Sequence, residues 1–191
     1  MSFFKSSREK HLWFWALVVL IGIFTTLFIG KPLAQFFGNQ NVQIIVFLIG
    51  ILLTGIAIII NAIKIKPSKI ELSLWFGIVA VYIMVFLRLG LPERSHLFEY
   101  SILTIIIHKA LIERKNQGVQ IHKPALISFI ITFFIGVLDE GIQIILPNRV
   151  FDLQDILFNS VAIISAVISK LSINWIRVRS DKSKIKKKKH D

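Results

Sequence analysis

Long apolar runs separated by short polar stretches dominate the sequence. Six of them are long enough to cross the hydrocarbon core of a bilayer as helices, which takes about 20 residues each. They are residues 12–29, 42–63, 70–89, 96–112, 124–146 and 155–176. The fourth is the weakest, because it is short and carries Glu99 and His108. We therefore predict an all-α, polytopic transmembrane bundle of about six helices joined by short loops.

The composition narrows the class of protein further. Hydrophobic residues make up 54% of the chain, above the roughly 45–50% of soluble domains. The absence of cysteine excludes disulfides, thiolate metal sites and cysteine nucleophiles. The basic stretch 5–10 and the apolar run after it resemble a secretory signal, but that run is longer than a signal core and no small-residue cleavage site follows it. We therefore expect an uncleaved first helix.

Basic residues are concentrated on alternate connections between the predicted helices. The formal net charge is +12, and most of the lysines and arginines lie before the first helix, after the second, after the fourth and after the sixth. This is the positive-inside bias, and it predicts that both termini are cytoplasmic. We expect the basic cytoplasmic tail, residues 177–191, to fix this topology and to contact anionic lipid rather than nucleic acid.

Polarity at membrane depth belongs to the second half of the chain. Asp139 and Glu140 interrupt the fifth apolar run. An ionisable group at that depth costs roughly 2.5–3.5 kcal/mol on insertion scales, so such groups are rarely there for packing. The predicted topology also places a larger polar set at the same outer end of the bundle. The set is Arg88, Glu93, Arg94, His96, Glu99, Asp139, Glu140, Gln143, Arg149, Asp152, Asp155 and Asn159.

Helical spacing arranges these polar residues in stripes. Side chains three or four residues apart share one face of a helix. The pairs at this spacing are His96–Glu99, His96–Tyr100, Asp139–Gln143 and Asp155–Asn159. We predict that the stripes turn inward and line one outward-facing polar cavity, built from the third to sixth helices. Gly136 and Gly141 flank the acidic pair and are predicted to let helices approach closely.

The side chains leave three functional interpretations and one structural one. Desolvated carboxyl groups together with His96 are suited to acid–base catalysis. In a phosphate site, Arg94 and Arg149 would clamp the anion while the carboxylates hold a divalent cation, although the spacing matches no recognised metal motif. A proton or solute path is the third interpretation, and the apolar inner halves of the helices argue against it. Alternatively, Glu99 or Asp139 forms a structural ion pair with one of the arginines.

The ordered polar motif resembles the VanZ-like family of integral membrane proteins, named for a protein linked to teicoplanin resistance. The matching stretches are Glu93-Arg94-Ser95-His96-Leu97-Phe98-Glu99-Tyr100, Leu138-Asp139-Glu140-Gly141-Ile142-Gln143 and Pro147-Asn148-Arg149, followed by Asp152, Asp155 and Asn159. The resemblance covers about residues 70–175, within a VanZ-like membrane domain predicted at 66–176, and residues 1–65 add two further transmembrane helices. The family pattern often has a glycine just after the asparagine, where this chain has Ser160-Val161.

This resemblance implies a multi-pass protein of the bacterial cytoplasmic (inner) membrane. It ties the chain to glycopeptide sensitivity or to lipid-linked cell-wall material, and it supplies no reaction. Our leading hypothesis is that the cavity binds or processes an anionic cell-envelope lipid or precursor. A non-catalytic binding protein is the alternative, and a small transporter is a weaker one.

The leading hypothesis divides the site residues into two sets. The candidates for orienting the ligand or transferring protons are His96, Glu99, Asp139 and Glu140. The candidates for binding are Arg94, Tyr100, Gln143, Asn148, Arg149, Asp152, Asp155 and Asn159. Within the second set the two arginines would contact the anion directly, and Gln143, Asp155 and Asn159 would support the residues around it.

Overall fold

The computed structural model describes residues 4–39, 67–88, 91–146 and 151–187, and the isolated positions 42, 45, 49, 52, 56, 59, 60 and 63. Side chains are described there except at 29–37, 86–88, 91–95 and 180–187. The described ranges form five α-helices and no strand, which confirms the all-α prediction. The helices are α1 (Ser7–Phe37), α2 (Lys69–Arg88), α3 (Leu91–Asn116), α4 (Pro124–Gln143) and α5 (Leu153–Lys187).

Three helices contain an apolar stretch long enough to cross a membrane, by length and composition. Among the described residues these stretches are Ser7–Phe28, Pro124–Gln143 and Leu153–Arg179. Large apolar side chains cover their outer faces, with Phe28 70%, Phe134 60% and Leu157 61% exposed. Continuous apolar surface of this extent marks contact with lipid rather than with water. The chain is therefore a helical membrane protein.

Several observed helix ends differ from the predicted ones. The first helix continues to Phe37, beyond the end predicted at residue 29, although a proline such as Pro32 removes one backbone hydrogen bond and crowds the preceding turn. The fourth helix begins at Leu91 rather than at 96, since Pro92 lies in the first turn, where its missing N–H has no helical partner to lose. The last helix runs to Lys187, because lysine and arginine are good helix formers. The predicted second span, 42–63, lies for most of its length outside the described residues.

Side-chain caps begin the first two helices. The N–H of Glu9 donates to Ser6 Oγ at 3.0 Å, and the N–H of Lys5 donates to Glu9 Oε2 at 2.8 Å. This is a variant of the capping box: the serine satisfies a backbone donor of the first turn, and the glutamate accepts the N–H of the residue before the N-cap. The same Ser-x-x-Glu spacing begins α2, where the N–H of Glu71 donates to Ser68 Oγ at 3.2 Å.

The chain divides into two compact units. The first comprises Met1–Gly30 and Leu89–Ile168, and the second comprises Lys31–Arg88 and Ser169–Asp191. The core of the first unit is apolar and contains several small residues. Its buried side chains include Ile23, Leu103, Ile107, Ala110, Ala162, Ile163 and Ala166. Small residues let helices approach closely in a membrane, and here Ser101 Oγ on α3 donates to the carbonyl oxygen of Ala162 on α5 at 3.3 Å.

Ion pairs join the start of α1 to the end of α3 within the first unit. Buried Glu9 lies 3.4 Å from an Arg114 Nη1 atom, and exposed Arg8 lies 3.7 Å from Glu113. Ser6 Oγ donates to Glu113 Oε1 at 3.0 Å. These contacts tie the basic end of the unit together. In the second unit, Arg177 donates from Nε and Nη2 to one oxygen of buried Glu71, at 3.1 and 2.6 Å.

Candidate functional site

Three helices of the first unit bring a histidine and two carboxylates together. The residues are His96 on α3, Glu140 on α4 and Asp155 on α5. One ligand atom from each lies within 4.8 Å of the other two, and His96 Nε2 is 3.9 Å from Asp155 Oδ2. Glu140 is fully buried, while the side chains of His96 and Asp155 are 12% and 19% exposed. We call these three residues the His–Glu–Asp cluster.

Asp139 and Glu140 are adjacent in sequence but contact different elements. Successive residues of a helix point about 100° apart. Asp139 Oδ2 accepts a hydrogen bond from the Tyr100 hydroxyl of α3 at 2.9 Å. Glu140 instead accepts from Gln143 Nε2 at 2.7 Å and from the backbone N–H of Asp152 at 3.4 Å. Asp139 therefore joins α4 to α3, and Glu140 joins α4 to the residue before α5.

The start of α5 positions Asp155. Asp152 precedes the helix, and its Oδ1 accepts the backbone N–H of Gln154 at 2.8 Å. This is the bond of an N-cap aspartate, which satisfies a donor that the first turn leaves open. The N–H of Asp155 donates to the carbonyl oxygen of Asp152 at 3.1 Å. Asp155 lies in the first turn, where the helix dipole favours a carboxylate.

A second level of side chains lies one helical turn beneath the cluster. Tyr100 and Asn159 follow His96 and Asp155 by four residues on α3 and α5, and Gly136 precedes Glu140 by four on α4. A Cβ added to Gly136 would lie 3.3 Å from both Asn159 Nδ2 and Tyr100 Cε1. The close approach predicted for Gly136 is thus confirmed. The one predicted for Gly141 is wrong, because no described atom lies within 4 Å of its Cβ position.

Asn159 is the unusual member of this lower level. Its side chain is fully buried, and neither atom of its amide has a hydrogen-bond partner among the described residues. Leaving a buried polar group unsatisfied costs about 1–3 kcal/mol. Tyr100, beside it, is satisfied through Asp139 and also stacks on His96, with ring centroids 5.9 Å apart.

The structure brings together most of the predicted site residues whose side chains it describes. His96, Tyr100, Asp139, Glu140, Gln143, Asp155 and Asn159 all face the interior of the first unit. Glu99 is half-buried and is not among the three residues whose ligand atoms converge. Asp152 is exposed, and it acts through its cap and its backbone N–H. Asn148, Arg149 and the side chain of Arg94 lie outside the described residues.

The geometry favours proton transfer or cation binding as local chemistry. An imidazole beside two carboxylates is able to carry a proton, and the same three groups are ligands that divalent cations accept. The carboxylates alone would repel an anion, so an anionic ligand needs positive charge beside them. The residues of the cluster were predictable from the sequence because they are polar at membrane depth. The ion-pairing roles of Glu9, Glu71 and Glu113 were not predicted, and a Ser-x-x-Glu capping spacing is a partial signal for the first two alone.

Fold and site together define a helical membrane protein with a buried polar cluster between three helices. Comparison of the chain with models of known protein families, with curated proteins and with solved structures finds no match.

Proposed function

We propose that this chain is a VanZ-like protein of the bacterial cytoplasmic membrane with six spans and both termini in the cytoplasm. In this arrangement the His–Glu–Asp cluster opens to the outer face and binds an anionic headgroup of a cell-envelope lipid or lipid-linked precursor. The single observation that carries the proposal is the convergence of His96, Glu140 and Asp155 from three helices. Buried polarity of this kind inside a membrane protein marks a functional site by default.

Charge asymmetry in the first unit supports the outward orientation. One end carries the acidic residues of the site, and the other carries Arg8, Arg114, Lys115 and Lys123. The two ends are separated by most of α3: from His96 to Arg114 is about 27 Å at 1.5 Å per residue. Since basic residues stay cytoplasmic, the acidic end faces outward.

Two arginines would supply the positive charge that an anionic headgroup needs. Arg94 precedes His96 by two residues, and Arg149 lies in the connection between Gln143 and Asp152. A guanidinium binds a phosphate or carboxylate through two parallel hydrogen bonds, which gives geometric specificity as well as charge. In this scheme His96 and Glu140 orient the headgroup or exchange a proton with it.

Native mass spectrometry with lipid identification tests the proposal. The native chain and an Arg94→Ala/Arg149→Ala variant would be purified from their own membranes. An Arg179→Ala/Lys182→Ala variant serves as the matched control, because it loses the same charge from the far end of α5. We expect a phosphorylated envelope lipid on the native chain and on the control, and its loss from the double-arginine variant. Identical bulk lipids on all three would overturn the headgroup site.

A single-turnover assay separates the enzyme from the non-catalytic binding protein. The lipid identified by mass spectrometry would be incubated with excess native chain and with a Glu140→Gln variant. An enzyme converts the lipid, and the variant does so more slowly, because the amide can neither accept nor return a proton. A binding protein retains the lipid unchanged in both samples.

A further inference from the structure

We propose that His96, Glu140 and Asp155 bind a divalent transition-metal cation of the zinc class. One ligand atom from each residue already lies within 4.8 Å of the others, and His96 Nε2 is 3.9 Å from Asp155 Oδ2. In a tetrahedral site with metal–ligand bonds of about 2.0–2.2 Å, neighbouring ligand atoms are about 3.4 Å apart. Small side-chain rotations are therefore enough to close the three groups around one ion.

Each ligand is held by a neighbour, as metal ligands usually are. Gln143 and the N–H of Asp152 fix the Glu140 carboxylate from two directions. His96 stacks on Tyr100, which restricts the orientation of the imidazole ring. Asp155 is positioned by the first turn of α5. Such supporting contacts orient ligands and typically change metal affinity by about 10–100-fold when removed.

The charge of the cluster also favours a cation. Two carboxylates lie within 4.8 Å of each other, and the imidazole beside them supplies at most one positive charge. Gathering carboxylates in a desolvated site is costly unless opposite charge compensates them. A divalent ion balances both carboxylates and leaves the imidazole neutral, which is the form that binds metal.

Asn159 is a second and independent observation that points to a ligand. It lies on the same face of α5 as Asp155, one turn further in, and packs against Gly136. Its amide is fully buried and has no hydrogen-bond partner among the described residues. A water bound to the cation on the inner side of the cluster would give this amide a partner. Buried waters commonly satisfy polar groups that otherwise have none.

The donor set selects the kind of metal. Magnesium and calcium prefer sites made only of oxygen, whereas imidazole suits zinc and its first-row neighbours. One imidazole and two carboxylates make three protein ligands, the number found in catalytic zinc sites that keep a fourth position open. A lipid phosphate oxygen is the natural occupant of that position; this bridging role rests on the proposed function, while the cation site itself does not.

Zinc titration of the purified full-length chain tests the site. The protein, purified without a histidine tag and stripped with a chelator, would be titrated with Zn²⁺ by calorimetry and native mass spectrometry. We expect one tightly bound Zn²⁺ per chain, and an affinity loss on the order of 100-fold or more in His96→Ala, Glu140→Gln and Asp155→Asn. His122→Ala is the matched control, because it removes an exposed histidine from the α3–α4 connection. Circular dichroism and gel filtration verify the fold of each variant.

Cobalt binding to the native chain tests the site without any variant, so it still applies if a variant does not fold. Co²⁺ bound to the native chain in a four- or five-coordinate nitrogen–oxygen site absorbs visible light, and one equivalent of Zn²⁺ should abolish that absorption. Equal zinc binding by native and variant chains would overturn the site, as would a preference for Mg²⁺ or Ca²⁺ over Zn²⁺. Zinc binding without any retained envelope lipid would leave the cation site standing and overturn only the headgroup proposal.

Discussion

Tyr100 donates a hydrogen bond to Asp139 across 2.9 Å, and both side chains are buried. The bond joins α3 to α4 one turn beneath the His–Glu–Asp cluster, at the level where Gly136 and Asn159 meet. The bond therefore holds together two of the three helices that form the site. The same tyrosine stacks on His96, so one side chain links Asp139 to a member of the cluster.

Replacing Tyr100 by phenylalanine should destabilise the chain while preserving its shape. A hydrogen bond to a charged group contributes about 1.5–3 kcal/mol, and its loss leaves a buried carboxylate with one donor fewer. We expect the free energy of unfolding, measured by denaturant titration in detergent, to fall by that amount. In an Asp139→Ala background the same substitution should cost much less, because the acceptor is already gone. Equal costs in both backgrounds would contradict a direct bond.

Gly136 and Gly141 make a matched pair of glycines on α4. A methyl group at Gly136 would press on Asn159 and on Tyr100, both at 3.3 Å, and Tyr100 is held in place by Asp139. We expect Gly136→Ala to destabilise the chain by about 1–3 kcal/mol, the usual cost of overpacking. Gly141→Ala meets no described atom within 4 Å, so it should stabilise the helix by about 0.5–1 kcal/mol. Thermal unfolding of both variants measures the difference, and a reversed order would show that α4 is packed differently.

Two substitutions of Asp152 test whether this residue acts through its negative charge or as a hydrogen-bond acceptor that caps α5. Its carboxylate caps α5 by accepting the N–H of Gln154. Asp152→Ala removes the cap and should cost about 0.5–2 kcal/mol in the free energy of unfolding. Asp152→Asn keeps an acceptor at the same place and should remain within about 0.5 kcal/mol of the native chain. Lipid retention is the second measurement: its loss in the asparagine variant would mean that the charge itself contacts the ligand.

The inward-facing stripes were predictable because helical periodicity identifies which residues share a face. His96 with Tyr100, and Asp155 with Asn159, follow directly from a spacing of four residues. The partners within the site were not predictable. A spacing of three or four residues allows Gln143 to bond either Asp139 or Glu140, and it does not indicate that Asp139 bonds Tyr100 on another helix while Gln143 bonds Glu140. Which side chains meet depends on the rotation and axial register of packed helices, and a single sequence contains neither.

The contacts at the basic end of the first unit were also not predictable from the sequence. Arg8 and Arg114 entered the predicted topology only as basic residues of cytoplasmic segments, yet both are engaged with glutamates on another helix. The Ser6-x-x-Glu9 spacing indicates a helix start, and it contains no information that Arg114 reaches Glu9. Helix ends were also misjudged, since hydropathy locates the apolar run while the helix continues into the polar residues beyond it, as α3 does to Asn116.

The proposed orientation makes a prediction that cysteine labelling can check, because the native chain has no cysteine. Gln154 is exposed at the start of α5, and Gln120 is exposed in the connection between α3 and α4. Helix α3 runs between the end of the unit that holds the cluster and the end that holds Gln120. Its segment from His96 to Asn116 is about 30 Å long, enough to span the hydrocarbon core. In intact cells a membrane-impermeant maleimide should label Gln154→Cys, and it should label Gln120→Cys only after permeabilisation.

The native chain, without cysteine, is the background control, and labelling after denaturation verifies that both variants are present in equal amounts. The opposite pattern would invert the bundle and place the His–Glu–Asp cluster toward the cytoplasm, which would contradict the proposed orientation. If both positions label from one side, then α4, which lies between them in the chain, does not cross the membrane. A six-span topology would then fail, although the contacts between Tyr100 and Asp139 and within the cluster would be unaffected, since these lie inside one compact unit.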